Sequence, residues 1–198
     1  ISRAALEQLM QEVDLEIQQA TELALKAPQP PKGIALRYLY SETVDPTSSA
    51  FETEAKCASD PRTMVDTITL TIHEEMARDL NVVVFGEDVA DCSREEHLKE
   101  VKGKGGVFRV TANLQRKFGS PRVFNTPLAE ANIVGRGIGM ALRGLEPVVE
   151  LQFFDYISPA MHQIRNDLTT MRWRHDGDST APIVLRRPVG GYLQCGAG

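Results

Sequence analysis

Four consecutive residues, Val82–Phe85 (VVVF), restrict the fold more than any other stretch of the 198-residue chain. Every position is apolar and either β-branched or aromatic, so a strand built from them has no side to turn to water. Such a strand belongs inside a parallel sheet with helices on both faces. Apolar residues on either side recur at helical spacing. Thr63 opens a helix ending near Asp79, with Asp66 as a weak capping box and Met64, Val65, Ile68, Ile72 and Met76 on one side. After the strand come a short helix over Thr111–Phe118 and a short strand over Arg122–Phe124. A longer helix with Thr126 as N-cap and Pro127 as its first residue follows, then a buried strand over Val148–Phe153. Ser158–Arg172 reads as a helix with Met161, Ile164, Leu168 and Met171 inward, and Ile183–Leu185 as a further strand. Strands alternating with helices predict a doubly wound, largely parallel α/β sheet with right-handed crossovers.

Two segments precede this pattern. Ser2–Ala27 carries Leu6, Leu9, Met10, Val13, Ile17, Ala20, Ala24 and Leu25 as a helical stripe, which predicts an amphipathic helix that packs on a neighbouring domain. Residues 28–62 lose periodicity and are rich in Pro, Ser, Thr and Glu, as expected of a linker. Leu36, Tyr38, Leu39 and Tyr40 interrupt its polarity and are expected to dock on a folded surface. The expected organisation is therefore a helical tail over 1–27, a linker over 28–62 and an α/β domain over 63–198.

In the central helix, Glu130 is expected one turn in. Leu128, Ala131, Val134, Ile138, Ala141 and Leu142 mark its buried face. Gly135, Gly137 and Gly139 each weaken a helix by roughly 1 kcal/mol relative to alanine, and close packing against another backbone is the simplest reason for all three. Asp91–Gly106, with CSREEHLKEVKGKGG after the aspartate, is charged and then glycine-rich, which predicts a solvated loop.

Several function classes are excluded. The net charge is −5 and the basic residues form no stripe with interleaved aromatics, so nothing suggests nucleic acid. The longest apolar runs are of strand length and no signal-peptide pattern opens the chain, so no membrane association is expected. Three dispersed cysteines, Cys57, Cys92 and Cys195, argue against a disulfide framework or a zinc site and for a reducing compartment, the cytoplasm by default. GRGIGM has Met140 in place of the third glycine of a dinucleotide fingerprint and precedes a strand instead of following one. No G-x-S-x-G elbow is present, and His73, His97, His162 and His175 lack metal-ligand spacing.

The segments FGEDVA (85–90), KGGVFRVTANLQRKFG (104–119), RVFNTPLAEANIVGRGIGMALRGLEPVVELQFFDYI (122–157) and IVLRRPVGG (183–191) resemble, in order, the β-subunit of thiamine-diphosphate-dependent 2-oxo acid dehydrogenases. EIQQATELALKAPQPP and LRYLYSE are similar to the carboxy-terminal end of the α-subunit, so the chain resembles the junction of a fused α/β enzyme. The resemblance implies a pyrimidine-binding domain and oxidative decarboxylation of a 2-oxo acid, with acyl transfer to a lipoyl group. It implies thiamine diphosphate and magnesium as cofactors, the metal being held mainly by the α part. It also implies that Glu130 is the acid/base group on the cofactor's aminopyrimidine, that Tyr156 stacks on that ring, and that Leu128 and Gln152 line its edge. Glu87 would be a structural loop or interface carboxylate. Backbone carbonyls of Ala181, Ile183 and Val184 match a potassium site in related proteins.

The implied partners are the α part, the lipoyl domain of a dihydrolipoyl acyltransferase and further copies of the chain. FNTPL and QFFDY are nearer to branched-chain relatives than to pyruvate ones. An acetoin-cleaving dehydrogenase and a non-catalytic assembly module of the same fold are the alternatives. The chain departs from the family at His162, where aspartate is usual, at Arg165, and in the longer loop 92–102. It also lacks the family's later histidine loop and its diphosphate-binding segment, so these 198 residues alone are expected to be inactive.

Overall fold

A computed structural model describes residues 2–52 and 60–189, so Cys57, Cys195 and the glycine-rich stretch 190–198 lie outside the described residues. The chain divides into two compact units, Ile1–Arg37 and Tyr38–Gly198. In the first, helix α1 (Arg3–Lys26) is capped by Ser2, whose Oγ accepts the Ala5 N–H at 3.2 Å. Its stripe residues, Leu6, Met10, Val13 and Ile17 among them, are exposed. After the prolines comes a 3₁₀ turn, Lys32–Leu36. Of the linker residues expected to dock, Leu36, Leu39 and Tyr40 are exposed; Tyr38 alone is half-buried, its ring against Gly177.

The second unit is built on a four-stranded sheet in the order β2-β1-β3-β4, with every pairing parallel. The strands are β1 (Val82–Gly86), β2 (Val123–Asn125), β3 (Glu146–Glu150) and β4 (Val184–Arg186). All of β1 is buried, and its alternating side chains divide between two cores. Val82 and Val84 join Val123, together with Ile72 and Met76 of helix α2 (Met64–Arg78) and Leu114 of helix α3 (Leu114–Phe118). Val83 and Phe85 face the other way, onto Val149, Leu151 and the Ile133, Val134 and Ile138 side of helix α4 (Glu130–Leu142). Each such side chain contributes about 1.5–3 kcal/mol on full burial, so β1 draws on both layers at once. The result is the doubly wound α/β sheet that VVVF predicts.

Several boundaries differ from the sequence-based expectation. Thr126 does not cap α4. Its N–H extends the ladder to Gly86 O at 2.8 Å, so the chain is still leaving the sheet there, and the helix begins at Glu130 with Ala129 as an N-cap that makes no side-chain bond. Ile133 therefore joins the buried face, while Leu128 and Leu142 are exposed. β3 ends at Glu150, short of Phe153. The helix expected over Ser158–Arg172 is a 3₁₀ segment (Phe154–Ala160, containing Pro159), a π-helical turn (Gln163–Leu168) and helix α5 (Met171–Arg174). Proline removes a helical N–H donor in the first of these.

The three glycines of α4 do not share one role. A Cβ at Gly137 would lie 2.7 Å from both Ile183 Cδ1 and Val149 Cγ2, so this glycine lets α4 sit down on its own sheet and does not serve contact with another backbone. Nothing lies within 4 Å of the corresponding point at Gly139. Gly137→Leu should therefore overpack the domain core, costing about 1–3 kcal/mol, whereas Gly139→Ala should stabilise the helix by about 0.5–1 kcal/mol. Urea denaturation midpoints of the two variants, moving in opposite directions from the parent, check this assignment.

Candidate active site

Parallel sheets place ligands beyond the carboxyl ends of their strands, at the point where successive connections leave in opposite directions. Here β1 connects outward to β2, and β2 then crosses back to β3 on the other side of β1. The switch lies between β1 and β3. Glu87 follows β1, Gln152 follows β3, and Glu130 opens the helix after β2.

Local chemistry holds this edge in place. A Cβ on Gly86 would come within 2.3 Å of Glu150 O, so β1 and β3 approach each other at a distance that only glycine permits. Asn125, the last residue of β2, accepts the N–H groups of Val89 and Ala90, both at 2.8 Å, and donates to Ser93 Oγ at 2.9 Å. Thr111 Oγ1 donates to Val89 O at 2.7 Å. The turn carrying Glu87 is thus fixed by side chains from two other segments. At the opposite end of β1, the Arg122 guanidinium donates to Met76 O, Asp79 O and Val82 O at 2.8–3.0 Å, tying the end of α2 to the start of the strand.

Both Glu87 carboxyl oxygens are closed to solvent without a hydrogen-bond donor among the described residues. Burial is the largest cause holding the Glu87 carboxyl above the usual glutamate range. The neighbouring Glu130 carboxyl acts in the same direction. Two carboxyl groups therefore meet at the sheet edge. Glu130 is half-buried in the first turn of α4, where the helix dipole favours a negative group. The family resemblance implies only a structural part for Glu87; the GED motif shows a carboxylate after a strand but not that a residue 43 positions later comes near it.

The 3₁₀ segment that carries Tyr156 packs against α4. The Tyr156 ring is 44% exposed and meets Phe153 edge-on, with centroids 5.8 Å apart. Leu128, 78% exposed, precedes Glu130 in the chain, and the half-buried Gln152 makes no side-chain hydrogen bond among the described residues. Ala181, Ile183 and Val184 lie elsewhere. Val184 is in β4 opposite Val148, and Ile183 packs into the core beside Gly137. His162 is exposed at the start of the π-helical turn, with Nδ1 3.0 Å from Asn166 Nδ2. A cavity of about 590 Å³ lies between α2 and β4, lined by Ile68, Ile72, Val148 and Arg186 among others, and Glu87, Glu130 and Tyr156 do not line it.

Residues 60–194 match the family model for the transketolase pyrimidine-binding domain. The chain is 46% identical over 127 residues to the β subunit of 2-oxoisovalerate dehydrogenase of Bacillus subtilis (strain 168), covering 64% of this chain and 35% of that protein. It is 42% identical over 129 residues to the pyruvate dehydrogenase E1 component subunit β of the same organism, covering 65% and 36%. With the 2-oxoisovalerate dehydrogenase subunit β of Pseudomonas aeruginosa, identity is 40% over 134 residues, covering 68% and 35%. The chain thus spans about a third of the length of the relatives it matches.

The raised Glu87 carboxyl has a consequence for stability. A carboxyl with a higher pKa in the folded than in the unfolded chain adds stability below its ordinary range and loses it as pH rises through the folded-state value. Glu87→Gln removes that loss. Its thermal midpoint should exceed the parent's in neutral buffer, and the gap should close in buffer more acid than the ordinary glutamate range. A gap independent of pH would show that Glu87 is not the titrating group.

Proposed function

Since the chain belongs to the transketolase pyrimidine-binding domain family, we propose that its carboxyl edge holds the aminopyrimidine ring of thiamine diphosphate, with Glu130 as the acid/base group. The protein it serves would be the decarboxylating component of a 2-oxo acid dehydrogenase complex, which passes an acyl group to a lipoyl domain. The meeting of Glu130 with Glu87 at the switch point carries this reading. When bound, the cofactor supplies a nucleophilic carbon and an electron sink for loss of carbon dioxide from a 2-oxo acid.

This chain's residues supply the rest. The Glu130 carboxylate accepts a hydrogen bond from a ring nitrogen and exchanges a proton there, and its partly buried position limits competition from water. Glu87 binds its own proton more tightly than an ordinary glutamate does, because burial and the neighbouring charge both disfavour its ionised form. The pair can therefore retain a proton that a lone surface carboxyl would lose. Tyr156 offers a face for stacking, and Leu128 and Gln152 offer an apolar and a polar edge. Magnesium and the diphosphate belong, in this reading, to an α part. Potassium on the carbonyls of Ala181, Ile183 and Val184 rests on family resemblance alone. A branched-chain 2-oxo acid is the proposed substrate class.

Glu130→Gln preserves size and one hydrogen bond but cannot exchange a proton. In the assembled enzyme, carbon dioxide release from a panel of 2-oxo acids with an artificial electron acceptor should fall by on the order of 10²–10⁴. Hydrogen–deuterium exchange at the cofactor's reactive carbon should fall with it, while cofactor affinity changes far less. Near-parental exchange and turnover would leave Glu130 as a glutamate that only complements the helix dipole.

A further inference from the structure

Helix α1 carries an apolar stripe that no described residue of its own unit covers. None of its residues is buried, and Leu6, Met10, Val13 and Ile17 are each 44–59% exposed. The spacing of the stripe identifies the kind of surface that fits it. Leu6, Met10, Val13, Ile17, Ala20 and Ala24 follow one another at steps of four, three, four, three and four, and Arg3 and Ala27 continue the series by three at either end. This is a heptad repeat running the whole length of the helix. A repeat of 3.5 residues keeps one seam against a second helix of the same pitch, which a flat or sheet-like surface does not require.

Large and small residues along the seam decide the direction of the partner. In an antiparallel pair with Ile17 in the layer of the partner's Val13, the same register sets Met10 against the partner's Ala20 and Leu6 against the partner's Ala24. Each outer layer then joins one large side chain to one alanine, which fills the seam without overpacking it. Leu9 and Leu23, both exposed and both flanking the seam on one side, meet each other across it. Arg3 reaches the last turn of the partner helix, where unpaired carbonyls and the helix dipole favour a cation. A parallel pair does the reverse. It stacks Ala20 and Ala24 on themselves and leaves voids, brings the two Arg3 side chains together, and places Leu9 against the partner's Asp14.

We propose that α1 pairs with α1 of a second copy of this chain as a short antiparallel coiled coil centred between Val13 and Ile17. The pairing does not depend on the thiamine diphosphate reading of the other unit. With 24 residues in the helix, the paired strip is about 36 Å long and at most about 12 Å wide. Its two faces together stay below the roughly 1,200 Å² at which standard interfaces begin, so the pairing should be weak and concentration-dependent. The flanks set its salt response. Asp14 and Glu16 lie beside the twofold axis and face the same residues of the partner, so like charges oppose pairing and added salt should tighten it.

Sedimentation equilibrium of the purified 198-residue chain should show a monomer–dimer equilibrium that tightens between about 0.1 M and 1 M sodium chloride, where the Debye length falls from about 10 Å to about 3 Å. Asp14→Asn combined with Glu16→Gln should tighten the dimer at low salt and remove most of that response. Ile17→Glu places a charge in the seam and should weaken association about tenfold or more. All three positions are exposed, so none of these substitutions threatens folding. Direction is read by disulfide trapping in a background carrying Cys57→Ser, Cys92→Ser and Cys195→Ser. A mixture of Met10→Cys and Ala20→Cys proteins should cross-link on mild oxidation, and Met10→Cys alone should not. Three results would overturn the pairing. A chain that stays monomeric at the highest attainable concentration leaves the stripe to a different partner, association that Ile17→Glu does not weaken lies in the other unit, and cross-linking of Met10→Cys with itself means parallel helices.

Discussion

Everything in the larger unit depends on β1 having no face it can expose. Val82 and Val84 need one apolar layer, and Val83 and Phe85 need another, so helices must cover the sheet on both sides. Satisfying both forces the chain to leave β1 in one direction and return past it in the other. The reversal creates the crevice at the carboxyl edge. The burial of four adjacent side chains and the position of the candidate site are therefore linked through topology.

A second constraint acts at that edge. Gly86 and Glu150 bring the backbones of β1 and β3 close together. The Glu150 side chain, almost fully buried, points to the α2 side and pairs with Arg186 of β4. Burial lowers the pKa of that arginine, but the adjoining carboxylate keeps its positive charge matched. On the α4 side, Glu87 has no such cation and meets another carboxyl group. The two faces of one edge thus carry opposite electrostatic solutions, a paired charge against α2 and an acid pair against α4.

Irregular backbone concentrates around the same edge. The 3₁₀ segment with Pro159 and the π-helical turn replace a regular helix, and α4 starts without a side-chain cap. π-Helical turns of this kind are frequent at functional sites.

The sequence alone determined the α/β class, the α1 and α2 helices with their Ser2 and Thr63 caps, the central apolar strand and the family resemblance. Each of these is written in local periodicity, in a cap beside its helix, or in motif order. Where Glu130 lies was legible as a place in a motif. What it meets was not. Only the tertiary structure decided that Glu87 faces it, that Gly137 is pressed against Ile183 and Val149, that Thr126 stays in the ladder, and that Asp91 is buried within a charged loop. Each is a contact between segments far apart in the chain or a competition between a local cap and a ladder bond. Such outcomes are set by packing across the sheet, which periodicity within one segment does not encode.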